Sequence, residues 1–570
     1  MTEIEMRKSR EERSRGFASG VIVLTLSAVI VKIIGLVYKI PMLTLLGSEG
    51  MGYFNSAYEI YMLFGVVSTA GLPVAMSVMI SGARERGELS EKTIFSVALT
   101  LFLLLGVIGT ALMLGIAPLS ERIFGSDGVI LCIIAISPTV FFICLSSVYR
   151  GFFQGLGKMR ETAISQVIEA ALKLVLGLIF AYIAIRCGSA VPEIAAFAVL
   201  GLTLSSAVSA LYLMLTKRVQ EKGERSVCGG EGGLCASGAE SSSRAYVAQS
   251  SSRVPRRKIL SSLLLTAIPI SLSALVMNLT KIIDMTVILR RMQDIGYTSA
   301  ESFSAYGSYT TLALPLFSLA PTLISSVALP LVPTLAGYVA VGDERGQVEA
   351  VSGAVKLTMI VSMPISLGLS LFSREILTLI FGGEPDAVAL ATPLLSILAI
   401  SIPLACLITL ENAVLQAYSA ASLPMISMAA GSLVKIILAY FLIGNRAIGI
   451  AGAPISTFAC DIVINAINWY FIGKRLPKFA AQDGKNTAQG GKNTAREVSI
   501  GIIARPFFAA FISVGAARLA YSLIAARIGE SSLATLATIA LCAVIYLPIS
   551  LFIGAIGRDE VKAILRRERN

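Results

Sequence analysis

The feature that most constrains this chain is the run at residues 17–46, FASGVIVLTLSAVIVKIIGLVYKIPMLTLL. A helix rises about 1.5 Å per residue, so roughly 20 apolar residues cross the hydrocarbon core of a bilayer. The run exceeds that length and holds two charges, Lys32 and Lys39. Runs of this kind recur about fourteen times, which requires a polytopic bundle of helices. An outer-membrane barrel would instead alternate weakly over about ten residues per strand. Charged residues make up 14% of the chain, against about 25% in soluble domains. The charged segment MTEIEMRKSREERSRG and the long run after it read as no signal peptide.

The first six spans are expected at about 17–46, 52–82, 93–117, 129–150, 162–186 and 192–217. Six more are expected at about 259–289, 304–340, 350–372, 387–415, 424–443 and 452–473, and a last pair at 500–526 and 533–556. Residues 218–258, rich in Gly, Ser and Arg, and residues 474–499, with a tandem KNTA, read as polar linkers. Lys and Arg crowd the N-terminus (1–16), alternate loops, both linkers and the tail (557–570), which predicts that all of these are cytoplasmic. The net charge of +12 is spent on that asymmetry and does not point to nucleic acid.

The chain also repeats itself. ARERGE at 83–88 returns as GDERGQ at 342–347, ERIFG at 121–125 as LTLIFGG at 377–383, and AISP at 135–138 as AISIP at 399–403. Gln154 and Lys173 return as Gln416 and Lys435 with the same spacing. These matches predict an all-α membrane fold of two parallel six-helix lobes, 17–217 and 259–473, followed by two C-terminal helices. A substrate site near the bilayer midplane goes with that architecture.

Charges inside apolar spans are the candidates for chemistry, because each costs at least a few kcal/mol unless it is paired or lines a cavity. In the first lobe these are Lys32, Tyr38 and Lys39, with Glu59 in the second span. In the second lobe they are Asn278, Lys281 and Asp284, then Tyr306, Tyr309 and Thr310 in a span whose prolines (315, 321, 330 and 333) predict a break. Two readings stand for Lys32 and Lys39: ligands of an anionic substrate, or members of ion pairs that only hold helices together. For Asp284, with Asn278 near it, they are a coupling-cation site or neutralisation by Lys281. Glu169 with Lys173, four residues apart, reads as a structural pair, and Lys435 as structurally paired too. Glu411, Asn412 and Asp461 lie deeper still.

The sequence has no histidine, which removes His-based acid–base catalysis and most zinc sites. Its eight cysteines read as reduced thiols, and no metal site is expected. No GxxxxGK[ST] occurs, so no ATPase subunit is implied and the chain must use an ion, voltage or substrate gradient. A transporter without a cofactor is expected, with Na+ or H+ as the open choices of coupling ion.

KIIGLVYKIPMLTLLGSEGMGYFNSAYEIYMLFGVVSTAGLPVAMS at 32–77 resembles the opening of stage V sporulation protein B-like transporters. AYGSYTTLALPLFSLAPTLISSVALPLVPTLAG at 305–337 resembles their eighth helix. These belong to the multidrug/oligosaccharidyl-lipid/polysaccharide exporter superfamily. The resemblance implies two lobes forming a V-shaped central cavity, with helices 13 and 14 shaping an apolar groove in the lipid II flippase branch. It implies alternating-access flipping of an undecaprenyl-pyrophosphate-linked glycan, a peptidoglycan precursor, across the plasma membrane. Lys32 sits where that branch has an essential cation, Lys39 close to a second, and Asp284 resembles a sodium-site residue of helix 7. Where the branch has a cation in helix 8, this chain has Thr310. Arg505 and Arg518 of the last pair could meet a pyrophosphate or a membrane surface. A monomer is expected, with a lipid-linked anionic glycan and membrane lipids as partners; a cation-coupled multidrug exporter, or a flippase for another lipid-linked oligosaccharide, is the alternative.

The orientation is testable. In a cysteine-free background, Ser126→Cys is expected to react with an impermeant thiol reagent in intact cells that lack an outer-membrane barrier, and Ser237→Cys is expected to stay unlabelled. Labelling at 237 would reverse the orientation.

Overall fold

The computed structural model describes residues 3–69, 71–86, 91–228, 256–420, 422–476, 491–528 and 531–555. Every regular element among them is helical. They are α1 (Glu3–Thr69), α2 (Gly71–Arg86), α3 (Glu91–Ile116), α4 (Leu119–Phe124), α5 (Gly128–Gly155), α6 (Met159–Arg186), α7 (Val191–Cys228) and α8 (Arg256–Asp294). There follow α9 (Ser299–Ser308), α10 (Leu314–Val341), α11 (Glu344–Leu371), α12 (Ser373–Phe381), α13 (Pro385–Ile400), α14 (Ile402–Ala417), α15 (Leu423–Ile443), α16 (Gly452–Gly473), α17 (Gly491–Ile528) and α18 (Ser532–Phe552).

Eleven stretches among the described residues are long and apolar enough to cross a membrane, and a twelfth arises if α13 and α14, bent by 49°, form one span. The first of the eleven, Ile30–Ser81, runs 52 residues, about twice what one crossing needs. Within it α1 breaks at Gly47, whose φ of +66° suits a residue without a Cβ.

The chain divides into two compact units, Met1–Thr286 and Val287–Asn570. The division falls inside α8, so Asn278, Lys281 and Asp284 group with the first unit. Ile259, Leu263 and Ala267 of α8 are buried there with Leu72, Met76, Phe102 and Phe153. Elsewhere in this unit α6 and α7 close on each other through Gly177 and Gly201. A Cβ added at Gly201 would lie 2.6 Å from the Cα of Gly177, so any larger residue must part the helices. The second unit has a core of Leu335, Met359, Leu410 and Leu415. The last two helices pack on α11, and Tyr546 Oη donates to the carbonyl of Ile360 at 2.8 Å.

Two expectations change in detail. Residues 218–228, read as part of a loop, are helical: α7 runs on to Cys228. Its polar end is held by Lys217–Glu221 at 3.4 Å, one turn apart, and by Lys158 donating to Gln220 at 2.8 Å. Likewise α8 begins at Arg256 and α17 at Gly491, inside the expected linkers. Residues 229–255, 477–490 and 556–570 lie outside the described residues. The break expected in the eighth span falls at Tyr309–Ala313, a π-helical turn just before Pro315. Proline has no N–H to give the preceding turn, and one wider turn absorbs the mismatch.

Gly201→Leu is expected to lower the thermal midpoint of the purified protein by several degrees, and Gly515→Leu, where a Cβ meets open space, to leave it nearly unchanged. Melting curves in detergent check both.

Candidate substrate-binding site

The first unit gathers its charged groups around α1 and α6. Lys39 lies two turns past Lys32 on nearly the same helix face. Lys32 is exposed at the protein surface, whereas Lys39 is half-buried. Glu59, beyond the Gly47 break, feels Lys281 most strongly and Lys39 next, with the Asp284 carboxylate also in electrostatic reach. Asp284 is buried and Lys281, three residues earlier, is exposed. Asn278 is buried; its amide donates to Ala274 O at 2.9 Å, and its Oδ1 accepts no hydrogen bond.

An aromatic row supports this cluster. Tyr38 and Phe54 have ring centroids 6.1 Å apart, Phe54 stacks on Tyr58 at 6.4 Å, and Tyr58 meets Tyr61 at 5.7 Å. Phe54, Tyr58 and Tyr61 are spaced by four and three residues, so they follow one face of the helix. Tyr38 reaches α6 at Gly177, where an added Cβ would come within 3.1 Å of its hydroxyl. That hydroxyl is buried and has no hydrogen-bond partner among the described residues.

Lys173 corrects an expectation. Its ammonium was expected to pair with Glu169, but Glu169 is engaged elsewhere. Arg150 Nη2 donates to Glu169 Oε2 at 2.6 Å, and Ser206 donates to Oε1 at 2.9 Å. Arg150 also donates to Ser165 and Ser209, each at 3.1 Å. Three serine hydroxyls thus surround one ion pair on α5, α6 and α7. The Lys173 ammonium instead sits over two rings, 4.8 Å from the Tyr58 centroid and 5.3 Å from that of Tyr38. A ring face attracts a cation electrostatically and leaves its N–H donors uncommitted. Glu169 acts on Lys173 as a neighbouring charge, and Lys173 acts on Lys39 likewise.

Arg150 stands at the very end of the span expected at 129–150, and the helix runs past it. The residue lies inside α5, and its side chain is 13% exposed. An arginine followed 19 residues later by a glutamate in the next span is the signal that could have found the pair.

In the second unit Tyr306 and Tyr309 are buried, and Thr310 is half-buried with its hydroxyl donating to Tyr306 O at 2.8 Å. These three belong to the second unit. Glu411 accepts from Asn468 at 3.0 Å, and Asp461 feels the Lys435 charge. Arg518 is paired with Glu375 and lies over the rings of Phe372 and Tyr521, while Arg505 donates weakly to Gly554 O at 3.4 Å. Below Phe372, an apolar cleft of about 490 Å³ is lined by Ile365, Leu369, Ile539, Cys542 and Leu547.

Eleven membrane-length helical stretches among the described residues define a class, the multi-pass membrane proteins. A family model described as "Polysaccharide biosynthesis protein" matches residues 17–339, and one described as MatE matches 269–441. The chain belongs to the polysaccharide biosynthesis protein family. It is 25% identical over 470 residues to stage V sporulation protein B of Bacillus subtilis (strain 168), covering 81% of this chain and 84% of that one. It is 25% identical over 433 residues to "Lipid II flippase MurJ" of the same organism, covering 74% and 76%. Among solved structures, the inward closed conformation of lipid II flippase MurJ superposes with a TM-score of 0.65 at 15% identity, covering 93% of this chain and 98% of that one. An inward-facing multidrug resistance MATE family transporter gives 0.63 at 18% identity, covering 80% and 98%.

Removing one member of the Arg150–Glu169 pair leaves a buried charge uncompensated, at a cost of about 3–5 kcal/mol. Arg150→Met is expected to lower thermal stability sharply, and Arg150→Met with Glu169→Met to recover much of it. Equal losses in the single and double variants would show that the serine contacts, not the pair, hold these helices.

Proposed function

We propose that this protein is a flippase that moves an undecaprenyl-pyrophosphate-linked glycan, lipid II or a close analogue, from the inner to the outer leaflet of the plasma membrane by alternating access. The observation that carries this reading is a charge excess. Among the described residues, Lys39, Lys173 and Lys281 are cations grouped with the carboxylates of Glu59 and Asp284, and the one further carboxylate acting on Lys173, Glu169, is already paired with Arg150. A membrane protein that maintains an excess of ammonium groups inside its spans carries their desolvation cost unless an anion arrives. A diphosphate supplies that charge, and lysine meets it as a point charge. Lys32, exposed two turns along the same face, serves as the entry contact. The names of the two Bacillus subtilis relatives, a lipid II flippase and a sporulation protein, support a cell-wall lipid as cargo.

The rest of the reading follows. Fourteen spans result if Ile30–Ser81 crosses twice at the Gly47 break, α13 and α14 form one bent span, and α8 is a span of its own. Both termini are cytoplasmic, the protein acts as a monomer, and Asp284 with Asn278 offers oxygen ligands to a Na+ or H+ coupling ion. Tyr306, Tyr309 and Thr310 contact the glycan rather than the diphosphate, since none of them carries charge. The apolar cleft beside α18 accommodates part of the lipid tail. The MatE match over 269–441 favours a second reading, a multidrug exporter. A cation-exporting site would be expected to carry a net negative charge, opposite to this one.

The test is flipping of a fluorescent polyprenyl-diphosphate sugar in proteoliposomes. Wild type is expected to flip it, Lys39→Arg to retain most of the rate, and Lys39→Met to lose about ten- to a hundredfold, the worth of one charge-assisted contact. Efflux of a cationic dye with no movement of the lipid would overturn the proposal in favour of the exporter.

A further inference from the structure

The proposed cargo carries two phosphates, and one lysine meets one of them well. We infer that Lys173 is the second half of a two-lysine clamp with Lys39, and that this clamp selects polyprenyl diphosphates over monophosphates. The inference rests on the flippase reading and adds a residue and a selectivity to it.

Three observations support it independently. The first is how Lys173 is held. Among the described residues neither a carboxylate at salt-bridge distance nor a hydrogen bond engages its ammonium; its contacts are the faces of Tyr58 and Tyr38. A lysine that served only to join helices would be expected to take the carboxylate one turn away on its own helix. Glu169 is that carboxylate, and Arg150 and Ser206 hold both its oxygens.

The second is where Lys173 sits. Tyr38, whose ring lies beneath it, is the residue before Lys39. Lys173 acts on Lys39 as a neighbouring like charge. Two cations held in mutual repulsion inside a membrane span are stable only with anionic charge beside them. Glu59 supplies one such charge to Lys39, and it is shared with Lys281. A diphosphate diester brings two charges a few ångströms apart, enough to relieve both lysines; a monophosphate diester brings one.

The third is rigidity. Gly177 lies one turn beyond Lys173 on α6, and it leaves just enough room for the Tyr38 ring to seat against the helix. The ring under Lys173 is therefore fixed by helix packing. A cation–π seat orients the ammonium without consuming its donors, so all three N–H groups remain available to phosphate oxygens.

The test is binding by the full-length protein in nanodiscs, with two diesters as probes: a farnesyl diphosphate sugar, which carries two charges, and a farnesyl monophosphate sugar, which carries one. Wild type is expected to prefer the diphosphate by about ten- to a hundredfold. Lys173→Met is expected to abolish that preference by weakening the diphosphate alone, while the monophosphate, held by Lys39, changes less than about threefold. Lys173→Arg should retain the preference, and Lys173→Gln should read as Lys173→Met does.

The outcomes separate the two claims. If wild type binds neither probe, the flippase reading and the clamp both fail. If wild type prefers the diphosphate and Lys173→Met or Lys173→Gln keeps that preference, the clamp fails and the flippase reading stands. If both probes weaken together with a lowered thermal midpoint, Lys173 is structural. The same holds if only cationic residues at 173 allow the protein to fold. Loss of the diphosphate preference at an unchanged thermal midpoint supports the clamp.

Discussion

The ion pair between Arg150 and Glu169 is the interaction on which the polar interior of the first unit depends. It joins α5 to α6, and its serine partners on α6 and α7 bring in the third helix. Buried pairs of this kind seldom add much net stability, but they cannot be broken on one side alone. Its second effect matters more for function. Arg150 and Ser206 together occupy both oxygens of Glu169 and deny Lys173 the helix neighbour that sequence spacing offers it. Lys173 then rests on the rings of Tyr38 and Tyr58, and the charge excess of the unit follows from that displacement.

Close backbone packing allows the arrangement. Gly177 and Gly201 let α6 and α7 approach without side chains between them, as small residues do at helix contacts in membranes. That approach brings α1 within reach of α6 and seats Tyr38. The Gly47 break starts a fresh helical segment, which carries Tyr58 and Glu59 back to the same region. Charge, aromatic support and small-residue packing are thus three parts of one local arrangement.

Much of the architecture was legible in the sequence because lipid imposes a simple rule, and long apolar runs satisfy it without tertiary information. Proline content announced the broken span at Tyr309–Ala313 for the same reason, since a missing N–H is a local fact. Lys39, Glu59, Lys281 and Asp284 were legible as charges inside apolar runs. The structure brings Lys39, Lys281 and Asp284 within electrostatic reach of Glu59, while Tyr306, Tyr309 and Thr310 fall in the other unit. What could not be read was partner choice. Glu169 lies one turn from Lys173 and far along the chain from Arg150, and local spacing favoured the wrong cation. The helical extension of α7 to Cys228 was also missed, because Lys, Arg, Gln and Glu mark a loop by polarity and a helix by propensity.

The central claim is that an anionic lipid diphosphate binds the lysines of the first unit. Photo-crosslinking tests it most directly, using a polyprenyl diphosphate that bears a photoreactive group beside the phosphates, incubated with the intact protein in nanodiscs. The account predicts labelled peptides that contain Tyr38, Tyr58 or Lys173, with labelling suppressed by excess unlabelled diphosphate lipid and not by a cationic dye. Labelling confined to α17 and α18, or suppressed by the dye, would contradict it.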